Sequence, residues 1–154
     1  MHRIAFTIFV TFLAASMAYS SGNDEPVEVL KTRFETAHPE DRVDLGIRIA
    51  QDQLRNADKL YIDGNVDLAQ AAVEDIVTYS EKARDASTQT KRHTKNLEIN
   101  VRKMSEKLRD IKRTLAFEDQ PPIEKAIRRL EDIRTALLAA MFADDKKNDK
   151  KGKK

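Results

Sequence analysis

The chain of 154 residues contains no cysteine and no tryptophan, and only four glycines and four prolines. Without cysteine it can form no disulfide, offer no thiolate to zinc and carry no diacyl lipid on a thiol, so packing alone must hold it together. Aromatic residues make up 6% of the chain, too few to interleave with basic side chains as a base-stacking platform, so a nucleic-acid partner is not expected. There is no glycine-rich phosphate loop and no recognisable nucleophile context. His38 and His93 stand far apart in sequence. Neither a metal nor another cofactor is expected, and the chain is not expected to be an enzyme.

What is present begins with an export pattern. Met1, His2 and Arg3 precede an apolar run over residues 4–15, and small residues follow at Ser16 and Ala18. A charged start, a short apolar stretch and small residues in that order match a secretory signal peptide, and the run is shorter than the ~20 residues a transmembrane helix needs. Residues 1–18 are expected to be a cleaved signal peptide, leaving a periplasmic or secreted chain. Residues 19–38 follow as a polar segment and a short amphipathic helix, in which Val27, Leu30 and Phe34 recur at helical spacing. Residues 39–143 should form a helical coiled-coil domain. The stretch 144–154, with six lysines, three aspartates and no apolar side chain, is expected to be a disordered Lys-rich tail able to make weak contact with an anionic membrane surface.

Charge is distributed unevenly. Residues 24–81 hold fourteen acidic and six basic side chains, whereas residues 82–113 hold eleven basic and four acidic. A dipolar molecule follows from that pattern if the two stretches lie apart.

Within the helical region, Pro39 can open a helix whose seam is Val43, Ile47, Ala50, Leu54, Ala57 and Tyr61. Gly64 can end it in a left-handed cap, and Asn65 can cap the next helix with its side chain. Between residues 65 and 119 there is no glycine and no proline, and one heptad register runs throughout. Val66, Val73, Ser80, Ser87, Thr94, Val101, Leu108 and Leu115 hold one position; Ala69, Ile76, Ala83, Thr90, Leu97, Met104 and Ile111 hold the other. The expectation is an all-α fold: a central helix about 75–80 Å long, with antiparallel flanking helices folded back at both ends as elongated coiled-coil hairpins. The competing arrangement breaks the central helix near "STQTKRHT" and forms a four-helix bundle. Each threonine there costs only a few tenths of a kcal/mol in helix propensity, too little to break a helix without tertiary help, which favours the continuous form.

The stretch "ADKLYIDGNVDLAQAAVE" resembles the helical hairpin of a tetratricopeptide unit, with Ala57, Leu60, Tyr61, Gly64 and Ala69 at its packing and turn positions. No second copy follows at a spacing near 34, so a peptide-binding array is not implied. The order of signal peptide, "GNV", "AQAAVED", "LRDIKRTLAFEDQPP" and a last helix ending "LLAAMF" is similar to a family of small secreted all-helical bacterial proteins. That resemblance implies a compartment and a fold and carries no functional residue.

The acidic pairs Glu74-Asp75, Glu118-Asp119 and Glu131-Asp132 read as solvated faces and caps, because neighbours on a helix diverge by about 100° and cannot meet at one substrate atom. In a two-helix rod, Ile49, Leu60, Leu68, Val77 and Ile99 lie beside the seams with little depth to bury them, which points to a protein partner or self-association. The expected function is that of a secreted or periplasmic, non-enzymatic helical interaction or scaffold protein, the alternative an envelope chaperone that holds unfolded clients. Its candidate interaction surface is the polar middle that neither flanking helix would reach: Ser87, Thr90, Lys91, Arg92, Thr94 and Lys95. Export is directly measurable. The mass of the exported chain should correspond to a start at Tyr19 or Ser21, and a chain retaining Met1 would show an uncleaved anchor instead.

Overall fold

Proline and glycine punctuate the helices as their backbone chemistry requires. Pro26 precedes α1 (Val27–Thr36), and its carbonyl accepts from the N–H groups of Val29 and Leu30 at 2.9 and 3.1 Å. Pro39 opens α2 (Pro39–Ile62) where its missing N–H would have no helical acceptor, with Glu40 and Asp41 at the positive end of the dipole. α2 stops in a Schellman motif: Gly64 takes φ +75°, its N–H donates to the Tyr61 carbonyl at 3.1 Å, and the Asn65 N–H donates to the Leu60 carbonyl at 2.8 Å. Asn65 starts α3 (Val66–Thr90) through its backbone carbonyl; its side chain makes no cap bond, unlike the expectation. α4 (Thr94–Thr114), one 3-10 turn (Phe117–Asp119) and α5 (Gln120–Lys151) complete the order. This computed structural model describes the backbone of residues 25–151 and the side chains of residues 25–143; the expected signal peptide, the start of the polar segment, residues 152–154 and the side chains of the Lys-rich tail lie outside the described residues.

The expected continuous central helix is not formed. It ends at Thr90, and α4 begins at Thr94 after Lys91 and His93 have both taken left-handed backbone angles, φ 54° and 62°. Two such residues without glycine cost about 2–4 kcal/mol together. The return on folding back is larger. Ile49 and Val77, which a two-helix rod would leave beside its seam, are fully buried, and burying an aliphatic side chain of that size is worth about 1.5–3 kcal/mol each. Leu97, Val101, Met104, Leu108 and Ile111 of α4 join the same core as Val73, Ile76 and Ala83 of α3. The register was real, but it lines two helices of one core.

α2 packs on α3, α3 on α5, α5 on α4 and α4 on α2, with α1 against α2. Polar pairs give the directions. Gln51 bonds Asn100 at 2.7 Å and Asp58 pairs with Lys107 at 2.8 Å, the same separation of 49 residues in both, so α2 and α4 run the same way. Lys112 meets Glu124 at 3.0 Å and Glu98 meets Arg134 at 2.8 Å, so α4 and α5 run oppositely. The molecule is therefore a four-helix bundle of two antiparallel hairpins, α2–α3 and α4–α5, with α1 laid on the first. Elongated coiled-coil hairpins are excluded by the α3–α5 and α2–α4 packing.

Charge pairing follows from this arrangement. The acidic first stretch and the basic second one lie side by side, joined by Asp58–Lys107, Glu40–Arg92 and, from α5, Arg129 forked onto Glu81 at 3.0 and 3.1 Å. The dipole expected from the sequence is thereby largely compensated.

α1 buries Leu30 and Phe34, and its last carbonyls are held by Arg42, whose guanidinium donates to Ala37 and Glu35 at 3.0 Å each. The Phe34 ring meets Tyr79 edge to face at 5.3 Å, with Lys82 Nζ 5.4 Å from one ring and 5.0 Å from the other. Gly46 lies beneath it. A Cβ there would stand 2.9 Å from Ala83 Cβ, 2.9 Å from the Tyr79 carbonyl oxygen and 3.3 Å from Phe34, which explains a glycine inside α2 despite its helix cost of about 1 kcal/mol. Gly46→Ala should destabilise by about 1–3 kcal/mol in urea denaturation. Adding Ala83→Gly should restore only part, because the Tyr79 carbonyl remains; a loss below about 0.5 kcal/mol for the single change would contradict the close crossing.

Candidate interaction surface

The six residues expected to form an interaction surface are gathered at the α3–α4 turn, and they divide by direction. Ser87 is fully buried: its Oγ donates to the Arg92 carbonyl at 2.7 Å and lies 3.1 Å from Thr94 Oγ1. Thr90 donates back to the Ala86 carbonyl at 2.9 Å. These hydroxyls satisfy the backbone where two helix ends meet, so they build the turn. Lys91, Arg92 and Lys95 face outward. Arg92 pairs with Glu40 at 2.8 Å, and His93 Nδ1 is 3.5 Å from Asp44, tying the turn to the start of α2.

The acidic pairs separate as helix geometry dictates. Glu74 points to Arg129, while Asp75 accepts from Gln53 and pairs with Lys31 at 2.7 Å. Burial opposes the charge on Lys31, but hydrogen bonds to Asp75 and Glu28 outweigh it and raise its pKa. Glu131 accepts from Ser105 and from Arg109, both at 2.7 Å, and Asp132 is exposed. The Ser105 hydroxyl, then Arg109, hold Glu131 below its ordinary 4.5 against the opposing effect of burial. No two of these carboxylates converge on a common point. A depression of about 450 Å³ between α1 and α2 is lined by Arg33, Asp41, Asp44 and Arg48 together with Thr36, Ala37 and Leu45, a mixed-charge rim without a paired acid and base. Among the described residues no cluster of three or more His, Asp or Glu could hold a metal ion, and no helix is long and apolar enough to cross a membrane.

The opposite end of the bundle carries a different surface. Ile62 closes α2, Leu68 lies in the first turn of α3, and Phe117 stands in the link between α4 and α5; they are 79%, 61% and 85% exposed. Since α2 and α4 run in parallel, all three share one end. Tyr61 beside them is buried with its hydroxyl unpartnered, and burial followed by the charge of Asp119 pushes its pKa up. Of the three exposed residues only Leu68 stood out in the sequence. Phe117 could have been found from its place in "AFEDQPP", an aromatic in a polar link that belongs to no apolar seam.

The chain matches no protein-family model, no curated protein and no solved structure. The resemblance to a family of small secreted helical proteins is therefore withdrawn. The tetratricopeptide resemblance fails on packing as well: α2 and α3 have 24 and 25 residues, and α3 lies against α5 as well as α2, so the pair belongs to a closed bundle. What stands is an all-helical bundle.

The Glu131 contact gives a pH test with a definite sign. Its folded pKa is depressed, so the stability it lends is fully present above 4.5 and is lost as pH falls through its lower folded value. Glu131→Gln should destabilise by about 1 kcal/mol at neutral pH. In urea titrations the gap from the parent should close on acidification; a gap independent of pH would show that the Ser105 and Arg109 contacts do not carry it.

Proposed function

We propose that this chain is an exported, non-enzymatic helical interaction protein, which meets a protein partner with the end of the bundle that bears Ile62, Leu68 and Phe117. The observation that carries the reading is the exposure of Phe117 at 85%, beside two other large apolar residues at the same end. Exposed apolar groups collected at one site mark binding surfaces more often than scattered ones do. Aromatic anchors also dominate interface energies. Export is supported by the charged, apolar and small-residue order of residues 1–18. A non-catalytic role is supported by the divergence of the carboxylates and the open, mixed-charge depressions. The reading needs neither cofactor nor nucleic acid. An envelope holdase is the second reading, favoured by the same exposed apolar end alongside basic side chains such as Arg109 and Arg113.

The test uses the chain lacking residues 1–18 and its Ile62→Glu, Leu68→Glu, Phe117→Glu variant. Surface changes of this kind shift stability by only about 0.5 kcal/mol each, so circular dichroism should find the fold intact. A specific partner drawn from the envelope fraction by the parent should be lost at least tenfold with the triple variant, a difference of about 1.4 kcal/mol. Equal capture would remove this end of the bundle as the binding surface. Suppressed aggregation of an unfolded outer-membrane protein at low salt, abolished at high salt, would favour the holdase.

A further inference from the structure

The turn between the hairpins combines three properties that are seldom found together. It is three residues long, two of its residues are left-handed without being glycine, and the heptad pattern of the helices runs through it without a break. We propose that two copies of this chain exchange their α4–α5 hairpins, the segment from Lys91 to His93 straightening so that α3 and α4 become one helix.

Opening removes the unfavourable backbone angles of Lys91 and His93 in both chains. It does not sacrifice the packing between hairpins, because the same surfaces meet again across the two chains: Lys107 of one copy can pair with Asp58 of the other, and Arg129 with Glu81, as they do within one chain here. No polar group is stranded. Ser87 would give up the Arg92 carbonyl, but a helical serine can donate to the carbonyl four residues back, as buried Ser80 does to Ile76 at 2.7 Å. The straightened segment contains no glycine or proline to interrupt its ladder. Opposing the exchange are the contacts of Arg92 with Glu40 and His93 with Asp44, whose side chains are 62%, 54%, 37% and 60% exposed and therefore largely screened by water. Short strained hinges of this type favour swapping. The inference stands on the turn alone and is independent of the surface at Ile62, Leu68 and Phe117.

Because the chain has no cysteine, single cysteines report on it cleanly. An Asp58→Cys chain and a Lys107→Cys chain, unfolded together and refolded at hundreds of micromolar, should give a covalent heterodimer with a short bis-maleimide linker, found in the fraction whose scattering mass is twice that of one chain. A side-by-side dimer would give the mass without that cross-link and would overturn the proposal, as would a single-chain mass at every concentration. Lys91→Gly with His93→Gly relieves the strain in the closed form and should weaken the dimer at least tenfold. Ser87→Ala unties the turn and should strengthen it. Should Ser87→Ala fail to fold by circular dichroism, the glycine pair alone decides: a dimer unaffected by it would equally overturn the proposal.

Discussion

The hydrogen bond from Ser87 to the Arg92 carbonyl, 2.7 Å long inside the bundle, sits at the point where the chain has the most to gain and the most to lose. At that place the backbone must leave one helix and enter another within three residues, so the Arg92 carbonyl belongs to no helix ladder. The serine supplies the partner and Thr94 lies against it at 3.1 Å. With the turn held, α4 comes back along α2, and every other pairing of the bundle follows: Asn100 against Gln51, Lys107 against Asp58, and α5 into the groove beside α3.

A second constraint acts at the same end of the molecule. Gly46 lets α2 approach α3 until Ala83 and the Tyr79 carbonyl are in contact with its Cα face, and α1 seals that crossing with Phe34. The acidic residues of α1 and α2 then find their counter-charges on α3 and on the turn that follows it: Glu35 pairs with Lys82 and Glu40 with Arg92, both at 2.8 Å. Most of these pairs are exposed and individually weak. Their collective effect is to fix which hairpin face meets which, since a wrong register would set like charges together.

How much of this was legible follows from where each instruction is written. The helix boundaries at Pro39 and Gly64 were readable because proline and glycine act locally, through a missing N–H and a missing Cβ. The seam residues were readable from periodicity: Val73, Ile76, Leu97, Met104, Leu108 and Ile111 are all buried. The break at Lys91–His93 falls in "STQTKRHT", which the sequence marks only as the site of the less favoured arrangement, because no residue in it is a helix breaker. It is driven from a distance by the burial of Ile49 and Val77, a demand that local propensity does not contain. For the same reason the residues of the supposed polar middle lie at a turn between two helices, where Ser87 is polar to serve the backbone. The exposed end at Ile62 and Phe117 depends on α2 and α4 being parallel neighbours, which only the assembled topology decides.

That parallel relationship also orders events in time. The α2–α3 and α4–α5 contacts join residues close in sequence, so each hairpin can form without waiting for the other, whereas the α2–α4 and α3–α5 contacts span about fifty residues and carry the larger loop-closure cost. The first hairpin is rich in carboxylates and α4 is rich in lysine and arginine. Two half-built units of opposite charge would draw together before their apolar faces touch, so docking is guided by a field that reaches several ångströms further than the packing it prepares.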